Sequence, residues 1–293
     1  MNLSEVTAVI KTFHRDQYMF NCVKTLKASY PEIHVIVVDD GQPSEEKRAK
    51  LTALGVEQYV PMAFNQGLCV GRNTGCKLVE TPYVLIGDDD FTYSPACRLE
   101  NLLSCMSVSD LAAGAVTLGP DGHMQHYEGY FNLQSDGGMV YKSATGNYLQ
   151  HGSVRYEYVD LAFNFFIAKI EPVRSVLWDE NIKVMYEHSD FFMRFKNAGY
   201  KVVYCPDSIV GHKTLQLQDS STYKEGRFCK ADRLTFWNKW NFPYMVDMGG
   251  IRSEISGVVS GATMHDMPVV KKAQVRILPK YGTRLSRWSR YGR

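Results

Sequence analysis

Three consecutive carboxylates, Asp88-Asp89-Asp90, follow the apolar run Tyr83-Val84-Leu85-Ile86 and Gly87. Acids crowded this closely repel one another unless a cation or a very polar pocket offsets them. A hard, oxygen-rich set of this kind suits Mg2+ or Mn2+, whereas a solvated acidic loop would carry the same residues with no ligand. Further groups along the chain could also do chemistry. Asp39-Asp40 end a second apolar run, His34 to Val38, and Gly67-Leu68-Cys69-Val70-Gly71-Arg72-Asn73 sets bare backbone beside a guanidinium. Such a segment lets a diphosphate or a base approach closely, or its glycines merely permit a turn. Glu187-His188-Ser189-Asp190 precedes Arg194, and Asp190 with Arg194 is spaced either for a helix-surface ion pair or for a functional acid held in place. His212 closes the stretch Asp207 to Gly211 and, taken alone, reads as an ordinary structural histidine.

Several standard ligand loops are excluded. The first strand is not followed by G-x-G-x-x-G, and no G-x-x-x-x-G-K-[ST] occurs, which argues against a Rossmann dinucleotide site and a P-loop. If Asp88 and Asp90 opened a calcium loop, its sixth position would be Tyr93 rather than Gly and its twelfth Leu99 rather than Glu. Gly282-Thr283-Arg284-Leu285 superficially resembles the glycine loop of sugar nucleotidyltransferases but lies in the C-terminal tail instead of after the first strand.

The elements that must position these residues alternate. Val6 to Ile10 reads as a buried strand, Asp16 to Ser29 as a helix, His34 to Val38 as a strand, and Ser44-Glu45-Glu46 as a capped helix start closed by Gly55. Glu57 to Val60 is a short strand, Gly67 to Val79 a loop and helix, the Tyr83 run a strand, and Ser94-Pro95 another helix start. This alternation predicts a mostly parallel central sheet with helices on both faces, its acids at the C-terminal edge where such sheets bind ligands. Leu111 to Leu118 follows as a strand, Gly119 to Gly122 as a turn, and Tyr127 to Tyr158 as hairpins and loops suited to an acceptor pocket. Leu161 to Ala168 is apolar, Ser189 to Ala198 helical before Gly199, Lys201 to Cys205 a strand, and about Cys229 to Trp240 a helix.

At 293 residues, 45% hydrophobic and 22% charged, the chain has an ordinary globular composition. A catalytic domain over residues 1–245 and a C-terminal extension over 246–293 are expected. No window approaches the roughly 18 apolar residues of a membrane span, and Met1 to Glu5 lacks a signal-peptide core, so a cytoplasmic protein is expected, peripheral at a membrane at most. The seven cysteines contain no C-x-x-C pair and read as reduced core residues. The net charge of +2 conceals an asymmetry: residues 271–293 hold eight Lys or Arg and no acid, leaving 25 basic against 31 acidic groups elsewhere, a net of −6. That tail is a candidate surface for an anionic membrane or for nucleic acid.

Taken in order, Lys11-Thr12-Phe13, Val38-Asp39-Asp40, Gly67 with Gly71-Arg72-Asn73, Tyr83-Val84-Leu85 running into Asp88-Asp89-Asp90-Phe91, Asn164-Phe165-Phe166 and His188-Ser189-Asp190-Phe191-Phe192 resemble the GT-A glycosyltransferases of the family 2 type, and within them the β-1,4-N-acetylgalactosaminyltransferases. The resemblance covers roughly residues 5 to 215. It implies a GT-A nucleotide-diphospho-sugar transferase fold and an inverting enzyme that uses a UDP-sugar donor, a Mn2+ or Mg2+ ion, and a hydroxyl acceptor on a glycan or glycolipid. It further implies that Thr12, Asp39 and Arg72 hold the uridine, with Asp40, Gly67, Asn73, Asp88 and Asp89 on the nucleotide-sugar side. Asp90, assisted by Asp88 and completed by His212, would hold the metal, and a carboxylate at the fourth group would be the general base. Many relatives place an adjacent Glu-Asp pair there; this chain has Glu187-His188 and then Asp190, so Asp190 and Glu187 are both candidates. Two other readings remain open: a glycosyltransferase acting on a modified base in DNA, and a non-catalytic nucleotide- or carbohydrate-binding protein of the same fold.

Overall fold

Nearly continuous burial along short apolar runs builds the centre of the molecule, a computed structural model that describes residues 1–118, 122–213 and 230–254. The N-terminal half runs β1 (Val6–Thr12), α1 (Asp16–Ser29), β2 (His34–Asp39), α2 (Glu45–Ala53), β3 (Gln58–Pro61), α3 (Leu68–Leu78) and β4 (Tyr83–Asp88). Next come the two-residue β5 (Phe91–Thr92), α4 (Leu99–Ser104) and β6 (Leu111–Leu118). The second half holds β7 (His123–Gln125), β8 (Gly129–Leu133), β9 (Met139–Ser143), β10 (Leu149–His151), β11 (Val154–Val159) and β12 (Phe166–Lys169). It continues through α5 (Ile170–Val176), α6 (Glu187–Asn197), β13 (Val202–His212), α7 (Lys230–Trp240), β14 (Met245–Val246) and β15 (Arg252–Ser253).

The main sheet has the order β10-β11-β13-β6-β12-β4-β1-β2-β3. Its faces follow from the two-residue period of a strand. Ala8, Ile10, Val35, Val37 and Leu85 pack with Met19, Cys22 and Leu26 of α1 and with α4. Val9, Ile36, Val38, Val84 and Ile86 pack with Cys69 and Cys76 of α3 and with α5, α6 and α7. Helices therefore cover both faces, as the alternation predicts.

Strand direction is more mixed than expected. The run β4-β1-β2-β3 is parallel, but β12 inserts antiparallel between β4 and β6, and β11 is antiparallel to β13. The strand expected at Lys201 to Cys205 continues to His212. Pro206 lies in a register shift between Cys205 and Ile209, and beyond it β13 resumes its parallel pairing with β6. Proline cannot donate to a ladder and is tolerated at a bulge, so the strand survives it and carries His212 to the sheet edge, opposite Phe91. The helix expected from Ser94-Pro95 is broken: Ser94 caps a single 3-10 turn, and Arg98, at φ +38°, separates it from α4.

Of the segment read as hairpins and loops, β8 and β9 join β14 and β15 in a second sheet, β15-β14-β9-β8, while β10 and β11 extend the main sheet. Val246 and Arg252–Ser253, at the start of the segment read as a C-terminal extension, pair within this sheet. All six described cysteines are buried free thiols. Cys229, the turn at 119–121 and the basic tail 271–293 lie outside the described residues. No helix among the described residues is long and apolar enough to cross a membrane.

Gly75 sets how closely α3 approaches the sheet, because a methyl group there would collide with Val9 and press on Val38. Overpacking of this kind costs about 1–3 kcal/mol. Gly75→Ala is expected to lower the unfolding free energy by about that amount in a urea titration, with an unchanged m-value.

Candidate active site

The parallel registers bring the sequence-predicted groups to one edge. Thr12 pairs with Asp39 across β1 and β2, and Lys11 lies opposite Asp88 across β1 and β4. Each of the three adjacent acids then finds a different set of partners. Asp88 is half-buried, and its Oδ1 accepts from Arg72 Nη2 at 2.6 Å. Asp89 is buried, accepting from the Thr12 hydroxyl at 2.8 Å and from Arg15 Nη1 at 3.2 Å. Asp90 is buried as well; its Oδ2 meets Arg15 Nη1 at 2.7 Å and His212 Nε2 at 3.1 Å. Burial, together with the charge of Asp90, pushes the Asp89 carboxyl up against the pull of Arg15. For Asp90, burial acts in the same direction, but the hydrogen bond and charge of His212 and then Arg15 outweigh it and hold it below the ordinary carboxylate range. His212, although desolvated, is held above its usual value by Asp90.

Asp90 Oδ1 is buried with no hydrogen-bond partner. An orphaned carboxylate oxygen is costly unless something accepts its lone pairs, and beside an imidazole nitrogen it is a donor set for a divalent cation. Asp90 and His212 thus fit a metal. Asp88 is turned to Arg72 instead, and no three His, Cys, Asp or Glu side chains form a ready metal cluster among the described residues.

Arg72, on the first turns of α3, joins the acids to the fourth group. Its Nη1 lies 3.8 Å from Glu187 Oε1, and Glu187 in turn lies 3.0 Å from His188 Nδ1. With the Asn164 amide turned so that its oxygen faces the guanidinium, that oxygen accepts from both Arg72 Nη atoms at 2.6 and 2.7 Å. Burial opposes ionisation of Glu187, yet the His188 hydrogen bond and the charges of His188 and Arg72 keep it a carboxylate with a lowered pKa.

Several expected ligand residues are committed to the protein itself. Asp190 is 0% exposed: Oδ1 takes Trp240 Nε1 at 3.0 Å and Lys239 Nζ at 2.8 Å, and Oδ2 takes Arg194 Nε at 2.8 Å. Because α7 closes over it, Asp190 is seated as an anchor between helices, whereas Glu187, also buried, lies beside Arg72. Asn73 binds the backbone N and O of Trp178, both at 2.8 Å, and so clamps a loop. Asp39 is sealed by Gly41 N, Lys47 Nζ and Tyr59 Oη, and Asp40 by Gly67 N and Lys11 Nζ. Thr12 is fully buried against Asp89. Sequence reasoning missed Arg15, Lys47 and the α7 residues. Arg15 follows Lys11-Thr12-Phe13 closely enough that a search for cations near the acids would have found it.

The profile "Glycosyl transferase family 2" matches residues 7–165, more than half of the chain. The chain belongs to glycosyl transferase family 2. As a family 2 member it is 29% identical over 216 residues to "Beta-1,4 N-acetylgalactosaminyltransferase 1" of Mus musculus, covering 71% of this chain and 38% of that protein. The Homo sapiens protein of the same name is 29% identical over 218 residues, with the same coverage of both chains. The family 2 chain thus spans about two fifths of the length of these curated relatives. Among solved structures, "Crystal structure of GalNAc-T7 with UDP, GalNAc and Mn2+" superposes with a TM-score of 0.59 at 16% identity, covering 82% of this chain and 49% of that one, which supports the GT-A fold.

The raised pKa values set a sign for metal-free stability. A group whose folded pKa is raised contributes stability that is fully present below its unfolded value and is lost as pH rises through the folded one. His212 and Asp89 both have this sign, and the lowered Asp90 and Glu187 change nothing near neutrality. The Tm of metal-free protein is therefore expected to fall as pH rises above 6.5, the ordinary value for His212, and to fall less in His212→Gln. Asp190→Ala, which strips a buried carboxylate from two cations, is expected to cost about 3–5 kcal/mol by chemical denaturation.

Proposed function

We propose that this family 2 protein is an inverting, divalent-metal-dependent glycosyltransferase that moves a sugar from a UDP-sugar to a hydroxyl of a glycan or lipid-linked saccharide. One observation carries the reading: a single buried guanidinium, Arg72, has the acidic run on one side and the Glu187 carboxylate on the other. A nucleotide-sugar site needs this division, positive and metal-binding groups for the diphosphate on one side and a base for the acceptor on the other. The names of the relatives favour N-acetylgalactosamine as the first sugar to test.

Asp90 and His212 would hold the ion, and an N/O donor set with an imidazole favours Mn2+ over Mg2+. When bound, it would neutralise charge developing on the departing UDP. Arg72 supplies a fixed positive charge beside the same phosphates, kept rigid by Asp88 and Asn164. Arg15 holds Asp89 and Asp90 in place, so their orientation does not depend on the ligand. Glu187 accepts the proton of the acceptor hydroxyl as that oxygen attacks the anomeric carbon, while the bond from that carbon to the phosphate oxygen breaks with its electron pair leaving on UDP. One displacement inverts the anomeric centre. Asp190 keeps a structural role in this scheme because both of its oxygens are already engaged.

Substitutions at the two poles should separate binding from chemistry. Glu187→Gln is expected to retain Mn2+-dependent UDP binding and to lose about 10²–10⁴-fold in hydrolysis or transfer of UDP-N-acetylgalactosamine. Asp90→Asn is expected to lose the metal-dependent part of UDP binding in calorimetry. A wild-type protein that neither binds UDP with Mn2+ nor turns over any UDP-sugar would overturn the reading.

A further inference from the structure

The proton-transfer end of the site follows a loop, and a residue far along the chain sets that loop. Three consecutive backbone N–H groups point at one carboxylate of α7, that of Asp232. Lys183 N donates to Oδ1 at 2.9 Å, and Val184 N and Met185 N donate to Oδ2 at 2.8 and 2.9 Å. Asp232 is 2% exposed. A buried carboxylate that accepts several N–H bonds is satisfied without a cation, and it fixes the backbone that donates to it.

The same loop meets both halves of the site. Lys183 O accepts from Leu68 N, the first residue of α3, at 2.9 Å, and a side chain on Gly67 would run into Lys183 Cγ at 2.6 Å. At its other end stands Tyr186 with φ +69°, a conformation that a bulky side chain adopts only when its surroundings impose it. The Tyr186 ring stacks on Phe236, one turn along α7 from Asp232, at 4.9 Å. The next residue is Glu187.

We propose that Asp232 is a positioning residue for the proton-transfer step: by tying down residues 183–185 it fixes the Glu187 carboxylate beside Arg72. This rests on Glu187 being the base, as proposed above. Arg72 has independent support. Its guanidinium is held by Asp88, and α3 is pinned by the two Asn73 bonds to Trp178. Loss of the Asp232 anchor should therefore displace the base and leave the nucleotide half in place.

The test uses the full chain, with Mn2+ and UDP in calorimetry and with hydrolysis of UDP-N-acetylgalactosamine expressed per UDP-binding site. Asp232→Asn sets an amide NH2 against backbone N–H donors. It is expected to bind UDP within about threefold of wild type while kcat per binding site falls about 10- to 100-fold and donor KM stays within about threefold, since a displacement of an ångström in a reacting group costs about 10²-fold. Asp232→Ser, which keeps a small acceptor, gives the same readout with a milder loss should the amide variant not fold. An unchanged kcat per binding site overturns the proposal, and so does a parallel loss of UDP affinity and turnover, which would make Asp232 a support of the whole site. If Glu187→Gln keeps its turnover, the base assignment falls and this proposal with it. If wild type does not bind UDP, the nucleotide-sugar reading itself has failed.

Discussion

Three carboxylates on consecutive residues at the end of a buried strand cannot coexist without compensation, and most of the local architecture answers that constraint. The strand ends at Asp88 and the chain turns at Asp89 and Asp90, so the acids are answered by separate cations, Arg72 at Asp88 and Arg15 at Asp89 and Asp90. Arg72 comes from α3 on one face, Arg15 from the loop before α1 on the other, and His212 from the far end of β13. Removing charges from water costs several kcal/mol per ion unless geometry and hydrogen bonds repay it. The Thr12 hydroxyl and the Asn164 amide complete that repayment.

The compensation is uneven, and the unevenness has chemical content. Asp89 is satisfied on both oxygens and buried, whereas Asp90 retains one buried oxygen without a partner and Asp88 stays half open. Charge is thus nearly balanced but not closed, the condition under which a divalent ion and a diphosphate can still gain by binding. Arg72 occupies the pivotal place because it answers Asp88 and Glu187 at once, coupling the strand edge to the start of α6.

Packing on one face of the sheet determines what that coupling can do. The helix α7 contributes Asp232 to the 183–185 loop, Phe236 to Tyr186, and Lys239 with Trp240 to Asp190. Residues with functional side-chain types, Asp190 and Asn73 among them, are used up as fasteners. The residues left facing the open edge are fewer than the acidic and amide side chains grouped there in the sequence.

The sequence by itself determined the local elements and the identity of the acidic run, because both depend on periods of two or 3.6 residues and on nearest neighbours. The strands β1, β2, β4 and β6, helices α1, α3 and α6, and the assembly of Asp39, Arg72, Asp88 to Asp90 and His212 at one edge were legible for that reason. Only the tertiary structure decided what rests on distant pairings: β12 running antiparallel between two parallel strands, β13 continuing past Pro206, and residues 129–143 joining 245–253 in a second sheet. It also gave Glu187 and Asp190 different surroundings. Three residues apart on one helix, they differ in nothing that spacing reports; the difference came from α7, about fifty residues later, whose Lys239 and Trp240 engage Asp190 while Glu187 lies beside Arg72.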